Sequence, residues 1–251
     1  MGSNDLLNAA EKDAHALLVA AQTQWDRPVP HCPDWDEAGL VRHMGSILSW
    51  MAAIVAVGER VNRHTLEPAP PEDPDELPEW YLAALTRAME VLGSADPESP
   101  TWTFSSVGDQ HLRWWCRRLA VEVATHRWDA ERAVAEADGD QASASPQPID
   151  GEVAAAGIEE FLVEFLPGLL AQEDVDGITG TLHLHALDGP VEWWIDLDDG
   201  GKAIRQHAKA DTAIRGTRSD LLLWLNNRGP LQTLEVIGNQ EILDRWGQLT
   251  F

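Results

Sequence analysis

The sequence predicts a two-part fold of class α plus α+β: an N-terminal four-helix bundle, then a C-terminal α+β domain containing a small antiparallel sheet. Three features carry this reading. Apolar residues recur at helical spacing through roughly the first 137 positions; a polar, small-residue stretch, DGDQASASPQPIDG, interrupts the pattern; beyond it the period shortens toward the two-residue alternation of strands. A chain of 251 residues can bury two modest cores. Domains are expected over 1–140 and 151–251, with 141–150 as linker.

The first helix is read from about Asp5 to Gln24, because Leu6, Leu7, Ala10, Ala14, Leu17, Leu18 and Ala21 fall on one face. It ends before Pro28. A second opens after HCPDWDEAGL, with Asp34 as cap, Glu37 three residues on as in a capping box, and Leu40, Met44, Ile47, Leu48 and Met51 as its apolar face. It is expected to run to about Val61. The Pro-rich acidic stretch EPAPPEDPDELP has too little apolar surface to pack and reads as an exposed loop. A third helix spans roughly Glu79 to Leu92, and a fourth, after TWTFSSVGDQ, runs from about Gln110 to Ala137.

In the second part, a helix from about Glu152 to Leu170 precedes TGTLHLHAL, VEWWIDLD and HAKADTAIRGT. Their alternation, with the turn signals LDGP and DDGG, reads as antiparallel strands. Short helices near Ser219–Asn226 and Asn239–Trp246 close the chain, and no internal repeat is found.

A formal net charge of −24 argues against a nucleic-acid partner and against an anionic membrane surface. An anionic substrate would need a local basic patch. Two cysteines, Cys32 and Cys116, rule out a disulfide framework and a cysteine-built zinc site, and a reducing cytoplasm fits. The N-terminus has acids where a signal peptide needs bases, and no membrane span is expected.

The chemistry centres on the fourth helix. Glu122 and His126, four residues apart, share a stripe with Trp115, Leu119, Ala130, Ala133 and Ala137, which is read as the buried one. A carboxylate there needs a compensating cation, donor or metal. Arg118, one turn earlier, offers an ordinary ion pair, which would leave His126 a core histidine. The alternative is a metal site completed by His43, which shares an inward face of the second helix with Leu40, Ile47, Trp50 and Ile54. Two imidazoles and one carboxylate with an open position form the ligand set of a catalytic zinc or another divalent metal.

The stretches CPDWDEAGLVRHMGSI and VEVATHRWDAERA resemble the paired motifs of the actinobacterial mycothiol-dependent maleylpyruvate isomerase and mycothiol transferase family, within the DinB-like superfamily. GPVEWWIDLDDGG through SDLLLWLNNRGP resembles its sterol-carrier-like C-terminal domain. The resemblance implies an enzyme with metal ligands His43, Glu122 and His126, a functional Arg228, and mycothiol as thiol cosubstrate. Asn227 departs from the pattern, standing where many members carry a glycine. The implied activity is thiolate attack on a small electrophile, with S-transfer ahead of the alternative, cis–trans isomerisation of maleylpyruvate by addition, bond rotation and elimination. A metal-stabilised, non-catalytic binding module is the reading from another class. The chain is expected to act as monomer or homodimer.

Cys32 reads as a packed residue without an adjacent base. Asp129, one turn beyond His126, either orients that ring or is a solvated acid. Arg205, His207 and Lys209 alternate along the third expected strand, a basic stripe that either receives the thiol cofactor or keeps a strand edge soluble. His183 and His185 share a face but have no acid or cysteine at ligand spacing, and read as surface or packing residues.

Overall fold

The computed structural model describes residues 1–137, 145–172, 178–229, 231–247 and 249. It comprises two compact units, Met1–Pro148 and Ile149–Phe251. Residues 141–144 of the expected linker lie outside the described residues, as do 138–140 before it.

The first unit contains α1 (Ser3–Ala21), α2 (Glu37–Val57), α3 (Leu77–Ser94) and α4 (Leu112–Ala137). The seven apolar positions read for α1 are all buried, against α4. The α2 helix lies along α3 and also meets α4, the pairing on which the site depends. Its cap is Asp36, not Asp34: the Asp36 carboxylate accepts the Gly39 N–H at 2.7 Å. The expected capping box is absent, since Glu37 is the first helical residue and both its carboxylate oxygens are buried without a hydrogen bond. Gly58, at φ 75°, ends the helix before Val61 in the left-handed conformation that glycine adopts without strain. Contrary to expectation, α2 is long and apolar enough to cross a membrane, by length and composition only. Leu40, Met44, Leu48, Met51 and Ile54 are nevertheless buried within the bundle.

In the second unit, α5 (Gly151–Glu160), a π-helical segment (Phe161–Phe165) and α6 (Leu166–Leu170) replace the single regular helix expected there. Pro167 accounts for the break, because it has no N–H for the ladder and its ring crowds the preceding turn. The strands are β1 (Thr181–Ala186), β2 (Glu192–Asp196), β3 (Lys202–Ile204), β4 (Thr212–Gly216) and β5 (Glu235–Gly238). They are ordered β3-β2-β1-β4-β5, and β1 pairs with β4 in parallel, so the small sheet is mixed rather than wholly antiparallel. Leu182, Leu184, Trp193, Ile195 and Ile214 form its buried face, beneath α7 (Arg218–Leu225). A last helix, α8 (Glu241–Trp246), stacks Trp246 on Trp224.

Two sequence readings are corrected by this register. Only Thr212–Gly216 of HAKADTAIRGT is strand; Arg205, His207 and Lys209 lie in the loop between β3 and β4 and share no strand face. Their side chains also diverge in use, with Arg205 paired to Glu159 and His207 to Glu192. Secondly, His183 and His185 do have an acid partner, because the β1–β2 register sets Glu192 directly opposite His185.

Candidate metal centre

The site is built where α2 crosses α4. His43 lies seven residues into α2, and Glu122 and His126 lie one turn apart midway along α4. His43 Nε2 is 3.3 Å from Glu122 Oε1, and His126 Nε2 is 3.6 Å from the same oxygen. The three ligand atoms all lie within 4.8 Å of one another. Ligands held about 2.05 Å from a tetrahedral zinc are spaced about 3.3 Å apart, so these separations suit the edges of a coordination polyhedron better than short hydrogen bonds. The two imidazole rings stand edge to face at 5.1 Å.

Arg118 does pair with Glu122, through Oε2, while Oε1 faces the two imidazoles. The ion pair and the histidine cluster thus divide the carboxylate between them. His126 is buried, 7% exposed, and its Nδ1 is 2.9 Å from Asp129 Oδ2. Asp129 is itself fully buried, which excludes the solvated-acid reading. An imidazole whose Nδ1–H is held by a carboxylate presents its Nε2 lone pair to the centre, an arrangement found behind most metal-binding histidines.

Burial opposes the charge on Glu122, yet Arg118, His126 and His43 hold its carboxyl well below the usual range. Burial likewise opposes protonation of His126, yet Asp129, Cys32 and Glu122 raise it well above the ordinary value. Anionic groups thus surround a position that favours positive charge. A divalent cation meets that demand, and the donor set of two nitrogens and one oxygen fits it.

The CPDW loop explains itself here. Cys32 N–H bonds Val29 O, and Trp35 N–H bonds Cys32 O at 2.8 Å, folding the loop so that Trp35 covers both imidazoles at 4.5 and 5.9 Å. Cys32 has an acid neighbour after all, with Sγ 3.8 Å from Asp129 Oδ2. Burial pushes the Cys116 thiol up to about 11, against any nucleophilic role.

A cavity of about 820 Å³ opens about 10 Å along α2 from His43, by the rise from residue 43 to Trp50. Trp50, Trp102 and Phe104 line it together with Arg60, Arg63 and His64. Arg60 lies over the Trp102 ring at 5.7 Å, and Trp50 donates its ring N–H to Val61 O. This cationic, aromatic cavity was missed in the sequence, although the run ERVNRH after α2 was its signal. Arg42, by contrast, is occupied by the Pro71 and Glu72 carbonyls. In the second unit Arg228 donates to Asn226 O, and Asn227 takes φ 55°. Among residues with a side chain, asparagine is one of the few that tolerate this left-handed position, so the departure from glycine is compatible with the turn.

Comparison with known proteins gives two family matches. Residues 8–131 match the mycothiol maleylpyruvate isomerase N-terminal domain, and residues 152–245 match the C-terminal domain of the same family. Among solved structures, a mutant of the mycothiol-dependent maleylpyruvate isomerase superposes with a TM-score of 0.62 at 10% identity, covering 94% of this chain and 93% of that one, a likeness of fold. Sterol Carrier Protein 2 Like 2 from Aedes aegypti aligns over 38% of this chain and 98% of its own at 16% identity, but its TM-score of 0.29 carries no argument. A search of curated proteins returns no significant match.

Proposed function

Since the chain belongs to the mycothiol-dependent maleylpyruvate isomerase family and is an enzyme, we propose that it activates a low-molecular-weight thiol at a divalent metal, zinc by preference, held by His43, Glu122 and His126. The observation that carries the reading is the meeting of His43 Nε2, Glu122 Oε1 and His126 Nε2 within 4.8 Å, with His126 oriented from behind by Asp129. A cation bound there would lower the pKa of an incoming thiol so that it serves as a thiolate at neutral pH. Glu122 supplies compensating charge, Arg118 fixes the carboxylate, and Trp35 shields the imidazoles from water.

The thiol class implied by the family is mycothiol, and the substrate class is a small anionic electrophile. In a chain of net charge −24, Arg60, Arg63 and His64 form the cationic cavity that would receive its acid groups. This local reception and the family membership favour isomerisation over S-transfer, reversing the order read from the sequence. Arg205, His207 and Lys209 do not carry the reading, and Arg228 enters it only through the family resemblance.

The test mixes the purified chain with zinc, mycothiol and maleylpyruvate, or a bimane-type electrophile, and follows trans isomer against thioether. Neither product with any small thiol would overturn the thiol chemistry. His43→Ala is expected to abolish zinc binding at this centre and the activity with the helical circular dichroism retained; an unchanged affinity there would refute the ligand assignment.

A further inference from the structure

The second unit gathers three of the chain's nine histidines around one carboxylate. On the sheet face turned away from α7, His183 and His185 project side by side from β1, and the register brings Glu192 of β2 opposite His185. The loop between β3 and β4 comes back over this face, where Trp194 donates its ring N–H to Lys209 O. That return delivers His207. His183 Nε2 and His207 Nδ1 lie 2.7 and 2.6 Å from Glu192 Oε2, and His185 Nδ1 lies 3.1 Å from Oε1. The four ligand atoms lie within 4.8 Å of one another, and the His183 and His207 rings meet edge to face at 5.2 Å.

We infer that His183, His185, Glu192 and His207 form a second divalent-metal site, selective for zinc-like ions and closed by four protein ligands. Three imidazole nitrogens and one carboxylate oxygen are ligands of borderline hardness, suited to zinc and unsuited to calcium or magnesium, which take oxygen shells. Two ligands come from one rigid strand and a third from its hydrogen-bonded neighbour, so most of the geometry is preset. To admit an ion, the present nitrogen–oxygen spacings must widen to about 3.3 Å. His207, 79% exposed in its side chain, and Glu192, 23% exposed, have room for that shift. Arg205 nearby is engaged by Glu159 and does not occupy the position.

Four protein ligands leave no vacancy for substrate, so this ion would brace the returning loop against the sheet instead of taking part in the reaction. The site therefore stands apart from the activity proposed above, and its fate is decided separately.

The experiment takes the chelator-treated full chain and measures zinc stoichiometry by equilibrium dialysis with elemental analysis. Wild type is expected to bind two ions. The double variant His185→Ala/His207→Ala alters side chains that lie outside the core, keeps the fold by circular dichroism, and is expected to bind one. Loss of an outer partner of a metal ligand already weakens binding by about 10- to 100-fold, and removal of two direct ligands should exceed that. His43→Ala should retain the second ion. A wild-type stoichiometry of one that survives His43→Ala but not the double variant would uphold this site and sink the first. Zinc binding that the double variant leaves unchanged in number and affinity would overturn the inference.

Discussion

Glu37 is the most conspicuous residue outside the two histidine clusters. Its carboxyl is fully buried, and burial pushes its pKa up to about 8; Arg27 opposes the shift, while Asp129 and Asp36 add to it. The folded chain therefore holds a proton that the unfolded chain releases near 4.5, and stability falls as pH rises from about 4.5 to about 8. At 1.36 kcal/mol per unit, the effect is a few kcal/mol. Glu37→Gln should be more stable than wild type at pH 8 and should flatten that slope, which denaturant melts at pH 5 and 8 would record; equal slopes would contradict the burial argument. Asp129→Asn tests the partner behind His126. It should weaken zinc binding at the first centre by about 10- to 100-fold while leaving the helix content intact. An unaltered affinity at that centre would mean that the hydrogen bond to His126 is incidental.

Among the elements, the four helices of the bundle were legible to within two to four residues at their ends, because a buried stripe at 3.6-residue spacing is a signal that each segment carries alone. The α1 stripe and the α4 stripe holding Glu122 and His126 are examples. What went unread depends on partners far away in sequence. Alternation in HAKADTAIRGT could not reveal that β4 would run parallel to β1, nor that residues 205–211 would leave the sheet, and the four-residue β5 offers too short a pattern. Capping was misread by two residues because Asp34 and Asp36 are both plausible acceptors and only backbone geometry distinguishes them. The β4–β5 pair yields a prediction of its own. Gly238 sits at φ 106°, and a methyl there would fall 2.1 Å from the Asp211 carbonyl oxygen. Gly238→Ala should destabilise the second unit by about 2 kcal/mol or more, read as a lower denaturation midpoint, since both strain and collision act. A neutral result would show that β5 contributes little to the sheet.

For the whole molecule, the excess of 42 acidic over 18 basic residues sets a self-repulsion that no single ion pair cancels. Raising sodium chloride from about 0.02 to about 0.5 M shortens the screening length several-fold and should raise the melting temperature. A falling melting temperature would mean that surface ion pairs outweigh the net charge. The candidate centre was readable at this scale only in part: its ligands could be paired by face and motif, whereas the Arg60–Arg63 cavity depends on how the chain turns after α2. His43 and Glu122 stand 79 positions apart, so they become neighbours only when the bundle has assembled. No local segment of the unfolded polypeptide can imitate that encounter. An ion that prefers the assembled bundle consequently acts as a thermodynamic latch on the entire first unit, and its occupancy would serve as a gauge of how much of the population is native.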